Sequence, residues 1–297
     1  MVTGESPAAA RRRVRLTLRK ARESRGLTQG QVAAELDWSL SKVNRLEKGE
    51  VTVSRTDLVA LLELYGVTDS VTIDDLIKAA RTSRLRGWYD EPRYREHLTP
   101  AMLQLYQFET QATAIRFYHP TLLPGLLQTR AYAEFVLNFW QGDLSQAVRD
   151  ARLETRIQRR GHVLDREDPA PYLLILDETV LQRIVGGPEI MVGQLRDLLE
   201  TMRRPNVSVR ILPLDEAAIL AMLGPFTLFD LGEEENAVLY RESVLKDEIL
   251  FAGEAIDRHR RYFEQMWERS LSEEASAHLI EARVARLVSD LDRYRPT

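Results

Sequence analysis

Two short amphipathic stretches, TQGQVAAEL (residues 28–36) and SLSKVNRLEKG (residues 39–49), are joined through Asp-Trp-Ser, and this pair constrains the chain most. Each has the apolar spacing of a helix with one buried stripe. Val32 and Leu36 on the first face Val43 and Leu46 on the second, and Ala33 is small enough for the two helices to cross closely. Thr28 is a good N-cap, and Gln31 stands where a capping box needs it. Ser39 opens the second helix and Gly49 stops it. The turn needs a residue that tolerates a left-handed backbone; Asp37 fills that place, where glycine is the usual choice. The outer side of the second helix is unusual. Ser41, Asn44, Arg45 and Lys48 fall at i, i+3, i+4 and i+7, so one face offers hydroxyl, amide and positive charge with no acid.

The pattern of short helix, stop and new cap continues on both sides. RLTLRKARESRG is a helix stopped by Gly26, while SRTDLVALLELYG and TIDDLIKAAR each open on a hydroxyl residue. Five helices over residues 14–81 make one small all-α helix-turn-helix domain. Residues 1–13 lack periodicity and end in Arg11, Arg12 and Arg13, which predicts a flexible basic arm. Charge separates along the chain. Residues 11–48 hold eleven Lys or Arg against four acids, a balance of +7, so the remainder carries −11 of a net −4. A basic head on an acidic body suits a polyanion at one end only.

Residues 82–100, with Gly87, Pro92 and Pro100, read as a linker in which Trp88, Tyr89 and Tyr94 can pack. Beyond it, residues 101–297 read as an α+β domain with a small sheet. AMLQLYQFETQATAIRFY, TRAYAEFVLNFWQ and LSQAVRDARLETRIQRRGHVL are helical, as are residues 179–185 and 189–203. PYLLILD, VSVRILPL, FTLFDL and AVLYRE are strands, and the chain from YFEQMWERS onward ends in helix. Within TLLPGLLQT, Pro124–Gly125 makes a tight turn and Thr129 caps the next helix; the segment is either a packed turn or the wall of a pocket or docking site.

Enzyme signatures are missing. Asp177 and Glu178 end a strand, where catalytic carboxylates can sit, but equally where a helix cap begins. His97, His119, His162, His259 and His278 have no metal-ligand spacing, and no phosphate loop, nucleophile elbow or dinucleotide fingerprint occurs. The absence of cysteine rules out disulfides and thiolate metal sites. The expectation is no catalysis, no cofactor and no metal, in a cytoplasmic, nucleoid-associated setting. The first residues lack the apolar core of a secretory signal, and no stretch is apolar enough for a membrane helix.

LRKARESRGLTQGQVAAELDWSLSKVNRLEKGE resembles the Xre-type, or phage-repressor-like, helix-turn-helix, through R-x-x-x-G-L-T-Q and V-x-R-L-E-x-G at the right separation. That resemblance implies a structural ion pair between Arg22 and Glu47. It also places the start of the second helix in the major groove of double-stranded DNA. Ser39, Leu40, Ser41 and Arg45 are then the base readers, with Arg45 suited to guanine and Leu40 to a thymine methyl. Thr28, Gln29, Lys42, Asn44, Lys48 and Arg55 are the phosphate contacts, and Arg11–Arg13 reach flanking phosphates or a minor groove. Residues 100–285 resemble the C-terminal domain of antitoxin-like actinobacterial regulators, most of all at LLPGLLQT. A homodimeric transcriptional regulator is implied, its second domain sensing a small neighbour-encoded partner protein or a metabolite. The alternative is an antitoxin-like protein that neutralises its partner and uses DNA binding for autoregulation. A weaker rival is a hydrolase built on Asp177.

Overall fold

The structure is a computed structural model that describes residues 7–49, 51–84, 87–217, 220–231, 237–243, 247–251 and 253–294. Two compact units divide between Glu91 and Pro92. Their classes are those read from the sequence, helical first and mixed second.

The first unit holds α1 (Pro7–Ser24), α2 (Gln29–Glu35), α3 (Leu40–Lys48), α4 (Arg55–Leu64) and α5 (Ser70–Thr82), followed by a 3-10 turn at Trp88–Asp90. Side-chain caps set the helix starts. Thr28, Ser39, Ser54 and Asp69 each accept a backbone N–H from three residues on. One apolar cluster joins all five helices, through Ala10, Val14 and Leu18 of α1, Val32 and Ala33 of α2, Val43 of α3, Leu58, Leu61 and Leu62 of α4, and Leu76, Ala79 and Ala80 of α5. Residues 7–13 are not an arm. Proline suits a first helical turn, three alanines follow it, and Ala10 is fully buried. Arg11 donates to the Ser83 carbonyl and Arg13 pairs with Asp75 of α5, so both side chains are engaged within the unit. Residues 1–6 and the side chain of Arg12 lie outside what the structure describes.

The second unit begins inside the expected linker, with α6 (Pro92–Arg95), and Tyr94 there is buried. It continues through α7 (Pro100–Gln111), β1 (Ala114–His119), α8 (Arg130–Asn138), α9 (Gln146–Leu164), β2 (Tyr172–Asp177), α10 (Thr179–Gln182), α11 (Pro188–Thr201), β3 (Val207–Leu212), α12 (Leu214–Ala217), β4 (Phe226–Asp230), β5 (Ala237–Arg241), β6 (Glu248–Leu250), α13 (Glu254–Arg269) and α14 (Glu273–Tyr294). The six strands form one mixed sheet in the order β3-β2-β1-β4-β5-β6. β1 runs parallel to β2 and antiparallel to β4, so it is the central strand where the two halves meet. β2–β3 is parallel; β4–β5 and β5–β6 are antiparallel.

The stretch 101–118 is not one helix; α7 ends at Gln111 and β1 follows. The C-terminal helical stretch divides into α13 and α14, because Ser270 leaves the helical conformation with ψ 154° and Ser272 caps α14 by accepting from Ala275 N–H. β6 is an additional strand. On one sheet face Tyr118, Ile175, Phe226, Leu228 and Leu239 pack under Phe263 and Met266 of α13. The opposite face meets the other helices, with Phe108 of α7 5.8 Å from the Phe229 ring. The β3 edge is covered: Ile211 donates to Ser276 Oγ and accepts from Leu271 N–H, both at 2.9 Å.

Candidate nucleic-acid interface

The α2–α3 pair is locked from beneath. Arg22 sits at the end of α1 and sends Nε to Glu47 Oε1 at 2.6 Å and Nη2 to Oε2 at 3.0 Å, while Nη1 holds the Leu27 carbonyl at 2.6 Å. Both side chains of this pair are about nine-tenths buried (11% and 10% exposed). The hydrogen bond to Glu47 holds the Arg22 guanidinium above its ordinary range despite desolvation. Tyr65 closes the same space and is pushed up to about 12 by desolvation and by the Glu47 charge. The ion pair thus ties the start of α2 and the end of α3 to α1, fixing the angle at which α3 is presented.

Asp37 has φ 54°, the one positive φ outside glycine among the described residues, where a left-handed residue was called for. Gly49 closes α3 at φ 74°, and its N–H reaches the carbonyls of Arg45 and Leu46.

The exposed side of α3 divides into free and engaged groups. Leu40 is 54% exposed, a position that costs an apolar side chain free energy unless something covers it. Ser41 and Arg45 are exposed one turn apart, Asn44 is half-buried beside them, and none of these three makes a side-chain hydrogen bond among the described residues. Arg55, at the start of α4, is exposed as well. Ser39 Oγ is occupied as an acceptor for Lys42 N–H, leaving its own hydroxyl proton to donate. Lys42 is placed differently from a free phosphate contact: Nζ pairs with Asp57 of α4 at 2.8 Å and lies 3.5 Å over the Trp38 ring. Thr28 is taken up by its capping box with Gln31, and the Gln29 amide donates to Glu47 at 2.7 Å. The Lys48 side chain lies outside the described ones.

Sequence reasoning did not find Asp57 or Trp38 as partners of Lys42. The only available signal was a lysine four residues after an aromatic that precedes the helix cap. In the second unit Asp177 is 2% exposed and accepts from Thr179 N–H at 2.8 Å, a local turn bond two residues on, while the N-cap of α10 is Glu178 without a side-chain cap bond. Thr129 caps α8 by accepting from Tyr132 N–H, and residues 125–127 form a 3-10 turn. Among the described residues no helix is long and apolar enough to cross a membrane.

Two family models match the chain. Residues 13–76 match a helix-turn-helix domain, the span that carries α2, α3 and the Arg22–Glu47 pair. No curated protein and no solved structure matched. The second model, the Domain of unknown function (DUF5753), covers residues 102–282, more than half of the chain. On that match the protein belongs to the DUF5753 family and carries its domain behind a helix-turn-helix head.

Proposed function

We propose that the protein is a sequence-specific, DNA-binding transcriptional regulator, with α3 as the groove-reading helix. One observation carries this reading: a capped helix, fixed from below by a buried ion pair, leaves Leu40, Ser41, Asn44 and Arg45 open on one face without an acid among them. Arg45 has the reach and fork geometry for a guanine edge, and Leu40 suits a thymine methyl. Ser39 and Ser41 complete the reading edge. Asn44, Arg55 and the end of α3 at Lys48 lie where backbone phosphates would flank the helix. Lys42 acts in this reading by tying α3 and the α2–α3 turn to α4.

The chain works as a homodimer in the cytoplasm, because two half-sites multiply a modest single-head affinity. Its Xre-type head serves an antitoxin-like second domain that receives a signal, from a small partner protein or a metabolite, without catalysing a reaction. The partner-neutralising alternative is favoured by Phe135, Phe139 and Ile184, which are 51%, 79% and 50% exposed on the second unit. The test of the main reading is gel retardation of a fragment from the protein's own promoter at several salt concentrations. Binding should weaken with salt along a clear log–log slope. Arg45→Ala should cost about 1–3 kcal/mol and relax the preference for one base pair. A salt-independent shift, or none, refutes DNA binding; an Arg45→Ala loss equal on all sequences refutes the role of Arg45.

A further inference from the structure

The second unit carries a helix pair whose apolar surface exceeds what the pair itself covers. α11 and α14 lie side by side, and Leu195, Leu198, Ile280 and Leu287 are buried on their inner sides. Leu199, Val284 and Val288 are only half-buried. They line an open groove of about 800 Å³ between the two helices, with Ala285 and Ser289 exposed on its rim. An amphipathic helix turns its apolar arc against a neighbour; here part of that arc meets the groove instead.

The groove also holds one charge of each sign. Arg196 of α11 stands on one wall and Glu281 of α14 on the other, both exposed. Neither makes an ion pair or a side-chain hydrogen bond among the described residues. Charges beside them are engaged. Asp197 pairs with Arg160 at 2.7 Å, Glu200 with Arg203 at 2.9 Å, and Arg283 donates to the Leu181 carbonyl at 2.7 Å. Gly193 stands one turn before Arg196 on the exposed side of α11, and a Cβ built there would meet nothing within 4 Å. Glycine weakens a helix interior, and no described neighbour requires it at this place. It does let the backbone of a second molecule come close.

An occupant of the groove must bring an acid to Arg196, a base to Glu281 and an apolar surface between them. A second copy of the chain brings all three. A two-fold axis running along the groove exchanges its walls, laying α11 of one copy on α14 of the other. Arg196 then stands across from the partner's Glu281, twice over, and the apolar side chains meet at the centre with the ion pairs at the rim. A groove charged with one sign would repel its own copy, whereas this one complements itself.

We propose that the α11–α14 groove is the face through which two copies of the chain associate, closed by reciprocal Arg196–Glu281 pairs. This rests on the reading of the protein as a homodimer and gives that dimer its interface.

The test is sedimentation equilibrium of the full chain, without DNA, over a wide range of concentration. Ala285→Arg puts bulk and charge into the groove and should weaken association about a hundredfold. Arg196→Glu and Glu281→Arg each set like charges face to face and should each weaken it at least about tenfold. The double exchange Arg196→Glu/Glu281→Arg re-forms both pairs and should return association to within about threefold of the parent chain. All three positions are exposed, so matching circular dichroism spectra separate lost association from lost fold. A dimer indifferent to Ala285→Arg, or a double exchange no better than its single variants, overturns the proposal and leaves the homodimer to be sited elsewhere. A parent chain that stays monomeric throughout overturns it together with the homodimer reading, and makes a foreign protein the occupant to seek. Gel retardation judges DNA binding separately in either case.

Discussion

Removing Glu47 tests the central device of the head. Glu47→Ala takes away both oxygens that Arg22 Nε and Nη2 use, and the one that Gln29 uses. Arg22, 9% exposed, is left with its Nη1 bond to Leu27, a long 3.5 Å contact from Nη2 to the exposed Glu23 carboxylate, and a guanidinium that water reaches poorly. Hydrogen bonds to charged groups contribute about 1.5–3 kcal/mol each, less whatever Gln29 recovers by turning to solvent. Cutting one partner of a buried pair costs about 3–5 kcal/mol. For a small domain, in which 1 kcal/mol is worth about 4–8 °C, the first melting transition should fall by at least ~12 °C. The double variant Arg22→Met/Glu47→Leu is the decisive arm. It leaves no stranded charge and strands mainly the Leu27 carbonyl, so it should cost about 1–3 kcal/mol, less than Glu47→Ala alone. Calorimetry of the full chain, with circular dichroism to follow the helical unit, reads both. A single variant costing under about 1 kcal/mol, or a double variant costing more than Glu47→Ala, would refute the view that the pair is buried and mutually dependent.

Three further outcomes follow from the structure. His119 is buried, and desolvation lowers its pKa from 6.5 to about 4 while Nδ1 accepts from the N–H groups of Thr121 and Leu122. The unfolded chain therefore binds this proton first, and stability should fall by up to about 3 kcal/mol as pH drops from 6.5 to 4. His119→Gln should flatten that part of the pH–melting profile, and an unchanged slope contradicts the assignment. Asp37→Val forces a β-branched residue to φ 54° and should cost about 1–3 kcal/mol in urea titration, whereas Asp37→Gly should be neutral or stabilising; equal effects would argue against a left-handed turn. Phe139→Ser, at a position 79% exposed, should move the melting point of the isolated chain by no more than ~0.5 kcal/mol allows, against about 3–5 kcal/mol for Phe263→Ala; a large loss at Phe139 would mean the side chain is covered.

The head was readable because its signals are local. Each helix start needs one side chain and the amide three residues on, and Thr28, Ser39 and Ser54 stand where the sequence calls for them. At α5 the cap is Asp69, which sits before the hydroxyl residue that drew attention. The second unit gave up less. β1 follows α7 with no Gly or Pro between them, and the apolar residues from Leu105 to Tyr118 keep a spacing that a helix also satisfies. What decides for strand is tertiary: Ile115 and Phe117 bury against β2 and β4, a pairing with residues 57 and more positions away. Thr113, Ile115 and the aromatic pair after Arg116 were the only local hint.

The same distinction explains the site residues. A family motif identifies which side chains share the outer face of α3, but their availability depends on groups far along the chain. Lys42 looks identical to Arg45 in sequence, yet Asp57, fifteen residues on, occupies it and nothing described occupies Arg45. The buried pair of Glu109 and Arg159 was less readable still, since the two are fifty positions apart and each reads as an ordinary surface residue on an amphipathic helix. Helical spacing placed Arg152, Arg156 and Arg159 on one side; only the packing of α9 against α7 and the 122–129 turn shows that this side is the inner one. Periodicity orders residues around a helix, whereas the desolvation that gives a charge its chemistry is a property of what the rest of the chain brings against it.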